Sequence, residues 1–232
     1  TFLSNKMFDA ILYRPIFNAL VFLYNTVAFQ DLGIAIILLT ILVRVLLFPL
    51  FHKSTHQQMM MQKLQPKMKK IQDDHKHDKE KQAAALMGLY KEHNLNPFSW
   101  ILLFIVQIPI LFALFKVFRM GFSPENFGRL YSFVAVPDIA NHFFLNILDL
   151  TQSNIPVVIL AAAFQYIQGK LTVPPNSGNM AQQTKMMLWI GPIITVVFLW
   201  NWPSAIGLYW ITTTLFSIGQ QIIINKKLTI GE

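Results

Sequence analysis

A single arginine, Arg44, interrupts the apolar run Leu32–Phe51 (LGIAIILLTILVRVLLFPLF). Near the centre of a membrane helix an arginine costs about 2.5–3.5 kcal/mol even on the lenient insertion scale. It calls for a counter-charge, a wet surround or a route to the headgroups. No Asp or Glu occurs in any of the long apolar runs of this chain. Those runs carry neutral polar residues instead: Thr40 one turn from Arg44, then Gln107, Gln165, Gln168, Thr195, Thr212–Thr214, Ser217 and Gln220. Gln165 and Gln168 share a helix face at i,i+3 spacing. The inference is a wet, polar groove that holds an unpaired cation and can receive an acidic group from another molecule. The bland alternative, which the pattern leaves open, is that Arg44 snorkels along its stem to the inner headgroups.

Other chemistry finds no footing. The chain has no cysteine, which excludes disulfides, zinc–thiolate sites and thiol nucleophiles. HExxH, GxSxG and P-loop signatures are absent from the sequence, so no hydrolase or nucleotide site is read. His52 with His56, and His75 with His77, lack a third ligand and are assigned to solvated or interfacial positions, with no metal and no cofactor. Met59, Met60 and Met61 point in too many directions to be all core. Met68 and Met87 are assigned to packing between two helices.

The elements that must position Arg44 follow from composition and periodicity. Of 232 residues, 54% are hydrophobic and 13% charged, against roughly 25% charged in a soluble domain; mean hydropathy is +0.45. Five transmembrane helices are predicted: Leu32–Phe51, Ser99–Phe118, Ile155–Leu171, Met186–Trp202 and Ala205–Asn225, the last two joined as a tight hairpin at Pro203-Ser204. Residues 7–29 are apolar but broken by Asp9, Arg14, Pro15 and Asn18. They predict an amphipathic helix lying in the interface, with Tyr13 and Tyr24 near headgroups, rather than a sixth span. The expected division is thus residues 1–31, the interfacial helix, and 32–232, the five-span core, with segment 52–97 inserted between spans one and two. No cleavable signal is visible at Thr1, where the chain reads as trimmed.

Segment 52–97 holds about half of the 19 Lys and Arg residues. By the positive-inside rule it faces the cytoplasm, which places the N-terminus outside and the C-terminus inside. Lys170, Lys185, Lys226 and Lys227 agree with that orientation, and the net charge of +8 fits anionic headgroups better than nucleic acid. Met60, Leu64, Met68 and Ile71, then Ala83, Leu86, Met87 and Tyr90, fall at helical spacing on either side of a polar tip, Gln72–Lys79. This predicts a cytoplasmic helical hairpin, ended at Asn96-Pro97.

Several stretches then match in order and spacing: Tyr13–Asn25 (YRPIFNALVFLYN), Thr40–Leu50 (TILVRVLLFPL), Met61–Ile71 (MQKLQPKMKKI), Leu89–Pro97 (LYKEHNLNP), Gln107–Pro109 (QIP) and Phe198–Gln221 (FLWNWPSAIGLYWITTTLFSIGQQ). Together they resemble the YidC membrane protein insertases, with their mitochondrial and chloroplast relatives. The resemblance implies an all-α, five-span core around a hydrophilic groove, open to cytoplasm and lipid and closed on the outer side. It implies that Arg44 meets acidic residues of an incoming chain and that Thr40, Gln168 and Trp210 line its path, beside the Gln107 and Gln165 that the spans supply. It implies a bacterial inner-membrane location, nascent membrane proteins and the bilayer as partners, and the hairpin as a hook for ribosome, targeting factors or translocon. Phe98-Ser99-Trp100 replaces a Gly-rich stretch common in the family, and neither the large extracytoplasmic domain nor the lipoprotein cysteine of some relatives is present in this sequence.

An insertase and chaperone with no covalent chemistry is therefore expected, driven by burial of the client's apolar segment and the membrane potential. A channel or transporter with Arg44 as an anion site is the competing reading, and a structural scaffold the third. Inverted-repeat transporters would show two similar halves, which this sequence does not.

Overall fold

The computed structural model describes residues 6–96, 98–120, 124–137, 141–172 and 181–230. Thr1, Pro97 and the side chains of Lys185 and Lys227, all used in the sequence reading, lie outside the described residues. The described chain is mostly helical: α1 Lys6–Thr26, α2 Leu32–Leu46, α3 Phe48–Lys63, α4 Gln65–Asp74, α5 Lys79–Glu92, α6 Ser99–Met120, α7 Pro124–Phe127, α8 Ile155–Thr172, α9 Ala181–Leu199 and α10 Ser204–Ile230. A two-stranded antiparallel hairpin, β1 Phe143–Phe144 and β2 Leu148–Asp149, is the only sheet among the described residues.

α10 is the axis of the bundle, packing on α8, α2, α3 and α6, while α9 lies against α8. Close approach of α10 to α8 depends on Gly207, where an added Cβ would stand 2.6 Å from Val157 Cγ1. One buried apolar cluster joins Phe17, Leu20 and Tyr24 of α1 to Ala35, Ile36 and Leu39 of α2, Ala113 and Leu114 of α6, and Leu208 of α10. A second joins Val158 and Ala161 of α8 to Leu199 of α9 and Ile206 of α10. Outward faces of these helices are also apolar, with Val45 and Leu46, Ile105 and Phe112, Ile159, Ile193 and Val197, and Ile223 all more than half exposed. By length and composition, α1 could cross a bilayer, and so could α2 with α3 if counted together; the apolar stretches Ile105–Phe118, Ile155–Leu171 and Leu188–Leu199 are shorter.

Three expectations for the course of α1 and α2 change. Pro15 does not break the first helix. A π-helical turn, Asp9–Tyr13, precedes it, with Arg14 N–H bonded to Asp9 O, and Pro15 falls in the first turn of the α-helical part, where its missing N–H costs little. Tyr13 and Tyr24 are buried in the protein, 0% and 1% exposed, rather than turned to headgroups. The expected span Leu32–Phe51 stops early: α2 ends at Leu46, and α3 leaves it at 73° with Pro49 in its first turn. The 15 residues of α2 rise only about 22 Å.

The hairpin forms as α3–α4–α5, with a further break at Leu64, before Pro66. α4 and α5 pack through Tyr90 and Met68, 3.9 Å from hydroxyl to Sδ, and Gln82 Nε2 donates to Gln72 O at 2.9 Å. The inner face of α5 is rotated from the expected one. Gln82, Ala85, Leu86 and Leu89 are covered, while Ala83 and Met87 are exposed. Met87 therefore does not pack the hairpin.

Candidate functional site

Arg44 occupies the last turn of α2, where the carbonyl end of the helix favours a cation. Its side chain is buried, 7% exposed, and none of the ion pairs among the described residues includes it. Its guanidinium carbon lies 4.2 Å from the centre of the Phe51 ring. Phe51 reaches that position because α3 leaves α2 at 73° after Leu47, so the bend builds the site as well as ending α2.

Arg44 lines a cavity of about 360 Å³. α3 contributes Phe51, Thr55 and Gln58, a face at i, i+4 and i+7; α6 contributes Gln107; α8 contributes Gln165 and Gln168. α10 supplies Tyr209, Trp210, Thr213, Thr214, Ser217 and Gln221, nearly one stripe of its surface. Gln107 Nε2 donates to the Tyr209 hydroxyl across the α6–α10 junction. Thr214 and Ser217 donate to the carbonyls of Trp210 and Thr213 at 2.8 and 3.0 Å, so their hydroxyl protons are spent within the helix. The cavity's remaining donors are dominated by Arg44 and the glutamine amides. That donor set suits a carboxylate or other oxyanion, which accepts from both.

Of the six residues singled out in the sequence, five line this cavity: Arg44, Gln107, Gln165, Gln168 and Trp210. Thr40 does not. It is 2% exposed, and its hydroxyl donates to Ile36 O at 2.6 Å. A position one turn from Arg44 does not share its outlook once the neighbouring helices close over it. Of the other polar positions named, Thr213, Thr214 and Ser217 line the cavity and Thr195, Thr212 and Gln220 do not; the α3 residues, Tyr209 and Gln221 were missed. Thr55 and Gln58 fall in the segment read as a cytoplasmic hairpin, Phe51 closes the expected first span, and Tyr209 is not distinguished by sequence among the residues of the last span. The i, i+4, i+7 spacing of Phe51, Thr55 and Gln58 was the available signal.

At the opposite end of α2, residues 124–137 and 141–154 tie the helices together. Asp9 Oδ1 pairs with Lys116 at 2.8 Å and Arg129 at 2.7 Å, and both cations lie over the Tyr13 ring. Asn18 bonds Arg129 O and Tyr131 N–H, and Asn25 donates to Ala135 O. The polar residues that break the apolar run of α1 are its anchors. Ser204 N–H and Oγ both reach Gln152 O, at 2.8 and 2.6 Å, which fixes the start of α10 to the same segment.

Residues 22–230 match the model of the family described as 60Kd inner membrane protein. A protein of Syntrophus aciditrophicus named membrane protein insertase YidC is 39% identical over 218 residues, 93% of this chain and 36% of that relative. The YidC of Pelobacter propionicus is 35% identical over 216 residues, 93% of this chain and 39% of its own length. The chain thus spans little more than a third of those two relatives. In Fusobacterium nucleatum a protein of the same name is 35% identical over 218 residues, and there the match covers 98% of the relative. On the order and extent of these matches, the chain belongs to the 60Kd inner membrane protein family, that of the YidC membrane protein insertases.

Proposed function

We propose that this chain is a bacterial inner-membrane protein insertase whose polar cavity receives the hydrophilic flank of a client while its apolar segment passes into lipid. The observation that carries the reading is Arg44: a buried cation with no acidic partner among the described residues, facing glutamine amides, inside a body whose outward faces are apolar. Soluble proteins rarely expose contiguous apolar patches of more than a few hundred Å². The relatives' shared name supports the same reading.

In this reading α2, α6, α8, α9 and α10 span the membrane, α3–α5 stand on the cytoplasmic side, and α1 lies along the outer interface, tied by Asp9, Arg14, Asn18 and Asn25 to residues 129–135. Termini fall outside and inside respectively. Arg44, with Gln107, Gln165, Gln168 and Trp210, binds the client; Thr40 supports the packing of α2 behind Arg44. Nascent chains are the substrate, and the exposed basic hairpin is the surface for ribosome or translocon. No bond is made or broken. A client flank that must otherwise shed its water in hydrocarbon crosses beside donors that replace it.

The test is insertion of a one-span client with an acidic flank into vesicles holding only this protein. Arg44→Ala should cut insertion about tenfold, equivalent to ~1.4 kcal/mol. Arg44→Lys should retain most of it, because a point charge in a wet site needs no fork geometry, and Arg44→Glu should reject acidic flanks. Normal insertion by Arg44→Ala, or solute flux in place of insertion, would sink the proposal.

A further inference from the structure

Two neighbouring turns put bulky apolar side chains where backbone and solvent both disfavour them. Between α1 and α2, Phe29 and Gln30 have φ of 53° and 58°, and Phe29 is 90% exposed. At the tip of the β hairpin, Leu145 and Asn146 have φ of 52° and 57°, Leu145 is 55% exposed and Ile147 85%. The left-handed region crowds Cβ against the backbone, so such turns ordinarily take Gly, Asn or Asp. Leu and Phe are exceptions, and strain of this kind persists only where the surroundings over-determine it.

Here the surroundings do. Asp31 ties the two turns to each other: Oδ1 accepts from Ile34 N–H at 2.9 Å, capping α2, and Oδ2 accepts from Leu145 N–H at 2.6 Å. Below them Phe144 lies on the backbone of α2 at Gly33, where an added Cβ would stand 2.2 Å from Phe144 Cδ2. Both turns are therefore one rigid piece, seated on the first turn of α2, and the piece holds Phe29, Leu145 and Ile147 outward instead of folding them in.

We propose that these three side chains form a wedge that enters the boundary between headgroups and acyl chains of the outer leaflet. Lipid is the occupant because the patch carries on into exposed apolar side chains at the end of α1, Val27 at 51% and Phe22 at 46%, and caps the helix whose far half turns Ile41, Leu42, Val45 and Leu46 outward, beyond the covered stretch Leu32–Thr40. The only charge within residues 27–33 and 143–148 is Asp31, whose two oxygens are both engaged, so neither turn carries the polar rim of a protein–protein interface. The wedge sets the depth of α2, and hence of Arg44, about 18 Å further along the helix. This inference rests on the membrane reading under Proposed function.

The cysteine-free chain permits single-cysteine labelling. The full chain is labelled with bimane at Phe29→Cys, Leu145→Cys or Ile147→Cys and placed in phosphatidylcholine–phosphatidylglycerol vesicles, with and without brominated acyl chains. Val45→Cys and Lys76→Cys serve as lipid and water references. The three wedge labels should shift to the blue and lose intensity in brominated lipid, as Val45 does and Lys76 does not. If Val45 is quenched and the three remain water-like, the wedge is wrong and the membrane reading stands. If Val45 is also unquenched, both fall. Labels that are water-like in pure lipid but shielded in native membranes would assign the patch to a protein partner, overturning the lipid assignment. As a second arm, the combined variant Phe29→Ser, Leu145→Asn, Ile147→Ser, with unchanged helicity, should alter the quenching depth of the Val45 label; an unaltered depth would overturn the positioning role.

Discussion

Arg44 leans on a ring, and Tyr209 accepts from the amide of Gln107; between them these contacts organise the polar wall of the cavity. The Gln107–Tyr209 bond joins α6 to α10, so Tyr209→Phe should leave a part-buried amide short of an acceptor and destabilise the protein by ~1 kcal/mol. Thermal unfolding in detergent would show it as a lowered midpoint, with helicity before the transition unchanged. At this scale the sequence was informative where a polar type contradicted its apolar surroundings, as at Arg44, Gln165 and Gln168. It was silent where a residue suited two settings. Tyr209 belongs as naturally to a headgroup belt as to a groove, and only the packing of α6 against α10 separates them.

Elements were legible as runs but not as joints. Hydropathy places α6, α8, α9 and α10 within a few residues, whereas the 73° bend at Leu47 leaves no mark on it. Pro15 and Pro49 show why proline alone decides little: one is absorbed by a π turn, the other starts a new helix at an angle. In the hairpin, α4 has no buried residue and α5 only Leu89. Its amides should therefore exchange faster than those of α10, measured by hydrogen–deuterium exchange in detergent or nanodiscs. Equal protection across the two would contradict this. Asp78 caps α5, accepting from Lys81 N–H at 3.0 Å, and the bonds from Lys81 hold its carboxyl below the usual carboxylate range. A folded value below the unfolded one means that the cap's contribution is present above the unfolded value, about 3.9, and is lost as pH falls through the folded one. Protection at the start of α5, taken relative to the intrinsic exchange rate at each pH, should fall in that acid window, and Asp78→Ala should show the lower protection already at neutral pH.

The molecule as a whole is a bundle cinched at one end and bent open at the other. At the cinched end, α1, residues 124–137 and 141–154, and the starts of α2 and α10 share hydrogen bonds and ion pairs; at the other, α3 swings away beside Arg44. Close packing of α10 on α8 holds the middle. Gly207→Leu, forced against Val157, should cost about 1–3 kcal/mol, read as a lowered unfolding midpoint that Val157→Ala partly restores. The contact between Arg44 and Phe51 spans the bend, and it has a kinetic meaning. In the proposed reading, the ring covers one face of the guanidinium and leaves its N–H edge open, so a client carboxylate meets a cation already held in place. Little side-chain freedom is left to lose at each capture, which favours quick engagement. Phe51→Leu should free the guanidinium to swing, lowering the yield of the crosslinkable client complex and slowing repeated rounds of insertion; an unchanged yield would count against this.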